Sequence, residues 1–336
     1  MKIINISSAR KKDDFEEFLN WLQNDLNSVN KLILENLTNS SSLISDLSNH
    51  IINSGGKRIR PLLTLAVAKL CGYTGSRHLI LASVIEYIHT ATLLHDDVVD
   101  NSRKRRGKKT ANFVWGNKSS ILVGDFLLSK AFGILISDGS IKCIGIISKA
   151  SEKISLGEVK QLMSIKKLEI SESEYLDIIS SKTAELFSAA CQISGEISEI
   201  STEMKNSLKD FGKFLGISFQ IIDDTLDYFS ENSLLGKEIG NDLFEGKMTL
   251  PLILLYKRSN NEEKKLLEHI ISKDKLNNND FKNIVFSMNN YGIKNDCLNK
   301  AKHFSLMAKD SLGLFPDSSE KQKIINLIDH LLSRIN

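Results

Sequence analysis

Asp96-Asp97-Val98-Val99-Asp100 and Asp223-Asp224-Thr225-Leu226-Asp227 share one spacing, DDxxD, and each closes an apolar run. With 21 Asp in 336 residues, a chance DDxxD is expected about 0.08 times, so two copies ask for a chemical reason. On a helix, residues i and i+4 share a face and i+1 lies about 100° away, so each motif presents three carboxylates over one turn. Like charges at that spacing repel by roughly a few tenths of a kcal/mol per pair, and here they adjoin segments that would otherwise enter a core. A cation should compensate. Oxygen ligands without His or Cys suit Mg²⁺, which keeps several waters and takes one or two carboxylates together with phosphate oxygens of a substrate. The plain alternative, two solvated acidic helix ends, does not require identical spacings after apolar helices.

Cations flank both motifs. Gly55-Gly56-Lys57-Arg58-Ile59-Arg60-Pro61 sets two glycines before three cations and a proline that can open a helix, a segment able to grip a phosphate. Arg103-Lys104-Arg105-Arg106-Gly107-Lys108-Lys109 follows the first motif directly; alone it reads as a solvated loop or a nucleic-acid patch, but beside a metal candidate a diphosphate explains both. Gly236-Lys237-Glu238-Ile239-Gly240-Asn241-Asp242 and Glu245-Gly246-Lys247-Met248-Thr249 add two lysines after the second motif. His89 and His95 precede Asp96 on its apolar segment. The neighbouring phosphate chemistry draws His89 towards ligand binding, and His95 reads as a hydrogen-bonded core residue. Lys182-Thr183 lies in a helix-like segment whose spacing alone does not single it out.

The elements that must hold these groups are helices. Only Pro61, Pro251 and Pro316 interrupt the chain, and strictly alternating β-branched runs are scarce. Phe15–Leu37, Leu79–Asp97, Ser119–Ile136, Glu174–Ile193, Lys205–Phe229 and Leu250–Arg258 carry apolar residues at helical spacing or nearly all round, and the all-round segments are expected to be central. Breaks are expected at Asn53–Gly56, Gly72–Ser76, Arg103–Lys109, Asp138–Gly139, Glu231–Gly240 and Asn277–Asp280. None is long enough for a linker, and the motifs lie more than a hundred residues apart yet need each other, so one domain over 1–336 is expected.

Hydrophobic residues make up 41% of the chain, enough for a sizeable core. Lys+Arg 44 against Asp+Glu 41 leaves net +3, too small a bias to argue for nucleic acid or an anionic membrane. No stretch is expected to reach the ~20 apolar residues of a membrane span, and MKIINISSARKK has no signal-peptide core, so a cytoplasmic protein without a transmembrane segment is the expectation. Cys71, Cys143, Cys191 and Cys297 have neither disulfide nor zinc spacing and read as small core residues.

In the order GGKRIRP, EYIHTATLLHDDVVDNSRKRRGKKT, GDFLLSKAF, GEVKQL, KTAELF, FQIIDDTLDY and GKEIGNDLFEGKMTLP, from about Gly55 to Pro251, the sequence resembles the trans-isoprenyl diphosphate synthases, specifically the long-chain polyprenyl diphosphate synthases that make quinone side chains. The resemblance implies the isoprenoid synthase fold: all-α, a single-domain bundle of long helices around a central cavity, usually a homodimer, with the two motifs facing each other across the cavity mouth. It implies that Asp96, Asp100 and Asp223 hold Mg²⁺ on the allylic diphosphate, with Asp97, Asp224 and Asp227 supporting them. Lys57, Arg60, His89 and Arg106 match positions that bind isopentenyl diphosphate. Arg105, Lys182, Lys237 and Lys247 match positions that bind the allylic diphosphate, farnesyl or geranylgeranyl. Thr183 and Gln220 match positions that stabilise the carbocation.

The chemistry so implied is ionisation of the allylic diphosphate, attack by the isopentenyl double bond, and loss of a proton to the departed diphosphate. A terpene cyclase would mix Asn, Ser or Thr with Glu in its second motif, a non-catalytic partner subunit would have lost aspartates, and a nucleic-acid-binding protein would set Asp96–Asp100 against phosphate. Ala91 and Thr92, five and four residues before Asp96, are small where bulky residues stop short products in this family, which implies a polyprenyl tail of octaprenyl to decaprenyl length. Phe132 is the candidate floor, with an ordinary core aromatic as its alternative. A shorter farnesyl or geranylgeranyl product is the competing outcome.

Overall fold

Ser140, Ser201 and Ser318 accept the amides of Cys143, Met204 and Lys321 through their hydroxyls, while Ser171, Asn260 and Asn277 form reciprocal capping boxes with Glu174, Glu263 and Asp280. These bonds satisfy amides that a helix start leaves without partners, so the caps write the helix boundaries into the sequence. The computed structural model describes residues 6–38, 41–52, 56–105, 107–230, 240–273 and 276–333. The first helices are α1 (Ile6–Thr38), α2 (Ser42–Ile52), α3 (Ile59–Leu70) and α4 (Arg77–Val99). A short antiparallel ribbon follows, β1 (Lys104–Arg105) and β2 (Lys108–Lys109), with Lys104 opposite Lys109 and Arg105 opposite Lys108. Next come α5 (Ala111–Trp115), α6 (Asn117–Asp138), α7 (Ile141–Ser164), α8 (Glu172–Ile179), a π-helical turn (Ser180–Ala184), α9 (Glu185–Ile197) and α10 (Thr202–Phe229). The last are α11 (Asn241–Phe244), α12 (Leu250–Arg258), α13 (Asn261–Ser272), α14 (Asn278–Asn290), α15 (Ile293–Ser311) and α16 (Ser319–Leu332).

The fold is all-α, and α10 is its hub. Its Leu208, Phe211 and Leu215 belong to a core built from α1, α3, α4, α6, α7, α9 and α16. Its Ile217, Ile221, Ile222 and Leu226 belong to a second core with α8 and α12–α15. The N-terminal segment packs through Phe18, Leu22, Val29 and Ile33, and α1 lies against α16, α3 and α4. Cys143, Cys191 and Cys297 are buried, Cys71 is half-buried and all four are free, as the spacing indicated.

Four expectations change. Two short strands, Lys104–Arg105 and Lys108–Lys109, lie within Arg103–Lys109, where a plain break was expected. The segment Glu174–Ile193 is not one α-helix but is widened at Ser180–Ala184. The last expected break ends at Asn277: Asp280 is already in the first turn of α14, because its carboxylate closes the capping box. Helix α6, apolar nearly all round, is not central. Leu122 and Ile136 are 67% and 68% exposed, and the helix is long and apolar enough to cross a membrane by length and composition, contrary to the expectation that no stretch is. One flank packs along α4, with Leu127, Ala131 and Leu135 buried and its end tied by Arg77 to Asp138 at 2.8 and 2.7 Å. Those contacts make it a helix of the bundle with one apolar face outward.

Candidate active site

The apolar face of α4, through Leu81, Val84, Ile85, Ile88, Ala91 and Leu94, carries the chain to Asp96. The middle aspartate then turns inward. Asp97 is buried, and its Oδ1 accepts Arg105 Nε at 3.0 Å and Nη2 at 2.8 Å. Burial pushes its carboxyl up, against the pull of the guanidinium. Asp96 and Asp100, four residues apart, remain half-buried on the other face. Asp100 Oδ2 accepts Lys247 Nζ at 2.7 Å, and Asp96 Oδ2 lies 3.9 Å from Lys182 Nζ.

The second motif repeats this division on the last turns of α10. Asp224 is buried and accepts Tyr175 Oη at 2.6 Å and Gln220 Nε2 at 2.7 Å. Burial, with the nearby Asp242 charge, pushes its carboxyl up to about 8 despite those two bonds. Asp223 and Asp227 are half-buried one turn apart, and Asp227 Oδ2 accepts the Asp242 amide at 3.0 Å. The segment beginning at Gly240 is thereby held against the motif, and Lys247 reaches the first motif from there. Burial opposes the Lys247 charge, but Glu245, at 2.7 Å, and Asp100 hold the ammonium well above the usual lysine range.

Lys182 and Thr183 come from the π-helical turn, where one residue more per turn separates the two from the regular α face. The turn is clamped between two helices. A Cβ on Gly157 of α7 would lie 2.6 Å from the Lys182 amide nitrogen, and one on Gly216 of α10 would lie 2.5 Å from the Ala184 Cα. Lys182 Nζ donates to Glu158 Oε2 at 2.7 Å and Gln161 Oε1 at 2.8 Å, and Thr183 Oγ1 donates to Gln220 Oε1 at 2.8 Å. Burial and the Asp96 charge push the Glu158 carboxyl up to about 7, against Lys182. A cavity of about 40 Å³ opens here, lined by Gln161, Tyr175, Lys182, Thr183, Gln220, Asp224 and Thr249 among others.

Arg60, on the first turn of α3, lies with Nη1 3.1 Å from His89 Nε2 and stacks 4.7 Å over the Phe187 ring. Lys57 is exposed, 3.1 Å from His330 Nε2 of α16 and over the Phe15 ring. Arg106 and Lys237 lie outside the described residues. His95 bridges α4 to α6, 3.3 Å from both Ile121 O and Asp125 Oδ1; it is hydrogen-bonded as expected but half-exposed and not in the core. Ala91 is buried in the main core, Thr92 is half-buried with its hydroxyl on His89 O, and Phe132 packs half-buried against the same core from α6.

Glu158, Gln161 and Tyr175 are the residues the sequence reading left without a role. The signal for the first two was available: both fall in GEVKQL, at i and i+3 directly after Gly157. Tyr175 carries no sequence signal, being 49 residues from its partner.

Asp96, Asp100 and Asp223 offer carboxylate oxygens only, the donor chemistry that suits a hard divalent cation. Among the described residues no three acidic, His or Cys side chains converge tightly enough to hold an ion by themselves. Mg²⁺ takes part of its coordination from water and phosphate oxygens, and the half-buried Lys247 ammonium on Asp100 already sets positive charge against the first motif.

The family model for polyprenyl synthetase matches residues 41–288. The octaprenyl diphosphate synthase of Escherichia coli (strain K12) is 41% identical over 90% of this chain and 94% of its own length. The crystal structure of a decaprenyl diphosphate synthase from Rhodobacter capsulatus superposes with a TM-score of 0.90 at 39% identity, covering 96% of this chain and 99% of that one. A polyprenyl synthase from Caulobacter crescentus CB15, complexed with calcium and isoprenyl diphosphate, superposes with a TM-score of 0.92 at 39% identity, covering 96% of this chain and 98% of that one.

Proposed function

Because the chain belongs to the polyprenyl synthetase family and is a long-chain trans-prenyltransferase, we propose that it condenses isopentenyl diphosphate head to tail onto farnesyl or geranylgeranyl diphosphate, and that it stops at octaprenyl diphosphate for a ubiquinone side chain. The observation that carries this reading is the pair of half-buried lysines, Lys182 and Lys247, set against Asp96 and Asp100 of the first motif, Lys247 coming from the segment whose Asp242 amide is held by Asp227 of the second.

In this reading Lys182 and Lys247, with Arg105, hold the allylic diphosphate and withdraw charge from it as the C–O bond breaks. Lys57, Arg60 and His89 hold isopentenyl diphosphate from the α3 side, so that its double bond lies over the allylic carbon. The Thr183 and Gln220 oxygens face the developing cation. Bound to Asp96, Asp100 and Asp223, Mg²⁺ would supply Lewis-acid assistance to departure of the diphosphate. The proton lost from the isopentenyl unit goes to the released diphosphate. Small Ala91 and Thr92 on α4 leave the tail room to lengthen, and Phe132 is the proposed floor.

The exposed apolar faces of α6 and α7, through Leu122, Ile136, Ile141, Val159, Leu162 and Met163, suit a homodimer contact, since a monomer seldom leaves so many large apolar side chains in water. The chain acts as a single domain in the cytoplasm, α10 being common to both cores.

Purified protein incubated with farnesyl diphosphate, labelled isopentenyl diphosphate and Mg²⁺ should yield mainly octaprenyl diphosphate by product chromatography. Products no longer than geranylgeranyl diphosphate would overturn the long-chain assignment. Turnover of the allylic diphosphate alone to a hydrocarbon would favour a cyclase.

A further inference from the structure

Behind the second motif, four side chains are joined in a series whose donors all point towards Asp224. Tyr175 Oη donates to Asp224 Oδ2 at 2.6 Å, Gln220 Nε2 donates to Asp224 Oδ1 at 2.7 Å, and Thr183 Oγ1 donates to Gln220 Oε1 at 2.8 Å. A side-chain amide has a donating end and an accepting end, so whichever end Asp224 takes decides what the other end presents. Asp224 Oδ1 accepts from the amide, which must therefore offer Nε2, and Oε1 is left for Thr183 and the cavity that both residues line. The carboxylate in turn is held by Tyr175. Tyr175 is 2% exposed on α8, and its hydroxyl occupies the second oxygen of Asp224, which aims the first at Gln220.

We propose that Tyr175 is a positioning residue for the condensation: through Asp224 it locks the Gln220 amide with its oxygen towards Thr183 and the reacting carbons. This rests on the reading that Thr183 and Gln220 face the allylic cation. Tyr175 touches neither substrate. Without its hydroxyl the Asp224 carboxylate can swing off Gln220, the amide can reverse, and an N–H dipole then faces a developing positive charge. The effect is on the chemical step and not on diphosphate binding.

The test is a double-mutant cycle in the Mg²⁺-loaded enzyme with farnesyl and isopentenyl diphosphates. Tyr175→Phe should lower kcat about tenfold and leave both KM values within about threefold, while its effect should shrink to within about twofold in a Gln220→Ala background. An undiminished Tyr175→Phe effect in that background, or an unchanged kcat for Tyr175→Phe itself, overturns the proposal while leaving the cation reading intact. If Gln220→Ala and Thr183→Ala each keep wild-type kcat, the cation reading falls and the proposal with it. Should Tyr175→Phe fail to fold by circular dichroism, Asp224→Asn takes its place in the cycle: its amide can turn either end to Gln220, so a loss of kcat that vanishes in the Gln220→Ala background is required, and wild-type kcat for Asp224→Asn overturns the proposal.

Discussion

Lys247 Nζ meets Asp100 Oδ2 at 2.7 Å across 147 residues of sequence, tying the segment after the second aspartate motif to the end of the first. Glu245 also holds this ammonium at 2.7 Å, so one half-buried cation serves two carboxylates.

Removing that cation exposes the repulsion it masks. Lys247→Ala should lower kcat/KM for the allylic diphosphate by about 10–100-fold, the worth of a charge-assisted hydrogen bond of about 1.5–3 kcal/mol. Metal-free Lys247→Ala should also melt below the wild type, because two half-buried carboxylates lose their partner. Added Mg²⁺ should recover part of the loss in Tm. A variant whose Tm does not respond to Mg²⁺ would show that the ion does not use Asp100.

Asp96 and Asp223 stand on the outward faces of their motifs. Asp96→Ala or Asp223→Ala should lower turnover by about three orders of magnitude or more with the fold retained by circular dichroism, because charge stabilisation at the leaving group is the main catalytic contribution. Near wild-type turnover in either folded variant would remove that residue from the metal site.

Arg60 sits between His89 and the Phe187 ring, on groups other than those that pair with Lys182 and Lys247. Arg60→Ala should raise the isopentenyl diphosphate KM by about tenfold or more and the allylic KM much less. Equal effects on both would move Arg60 out of the isopentenyl site.

Two carboxyls are pushed up by burial, Glu158 from 4.5 to about 7 and Asp224 from 3.8 to about 8. Each is protonated in the folded protein at pH values where the unfolded chain has already released its proton. The stability they contribute is therefore complete below about pH 4 and is lost as pH rises through 7 to 8. Metal-free protein should lose Tm over this window, and Glu158→Gln should flatten the part between about pH 4.5 and 7. An identical slope in the variant would exclude Glu158 as a source.

Ala91 and Phe132 lie on the two helices that pack along each other between the Arg77–Asp138 pair and the His95–Asp125 pair. Ala91→Phe should shorten the product to the farnesyl or geranylgeranyl class and cost about 1–3 kcal/mol of stability, since Ala91 is buried. Phe132→Ala should lengthen the product. An unchanged length distribution for Ala91→Phe would exclude a tail running along α4, and one for Phe132→Ala would exclude only that floor.

Helical class and the two aspartate motifs were read from the sequence because each depends on residues within one or two turns, Asp96 with Asp100 and Asp223 with Asp227; the capping pairs Ser171 with Glu174 and Asn260 with Glu263 are as local but went unread. Local spacing could say that three carboxylates share a turn. It could not say which would turn inward, because that depends on what packs behind the helix. Asp97 goes in because the ribbon returns Arg105 to it, and Asp224 goes in because α8 brings Tyr175 from 49 residues away. The π-helical turn that presents Lys182 and Thr183 was likewise invisible. It sits where Gly157 and Gly216 let two other helices approach closer than any side chain allows, and a contact between distant segments leaves no periodicity in the turn itself. The outward face of α6 has the same cause: its composition is that of a central helix, but only the packing along α4 decides which flank is buried and leaves Leu122 and Ile136 on the other.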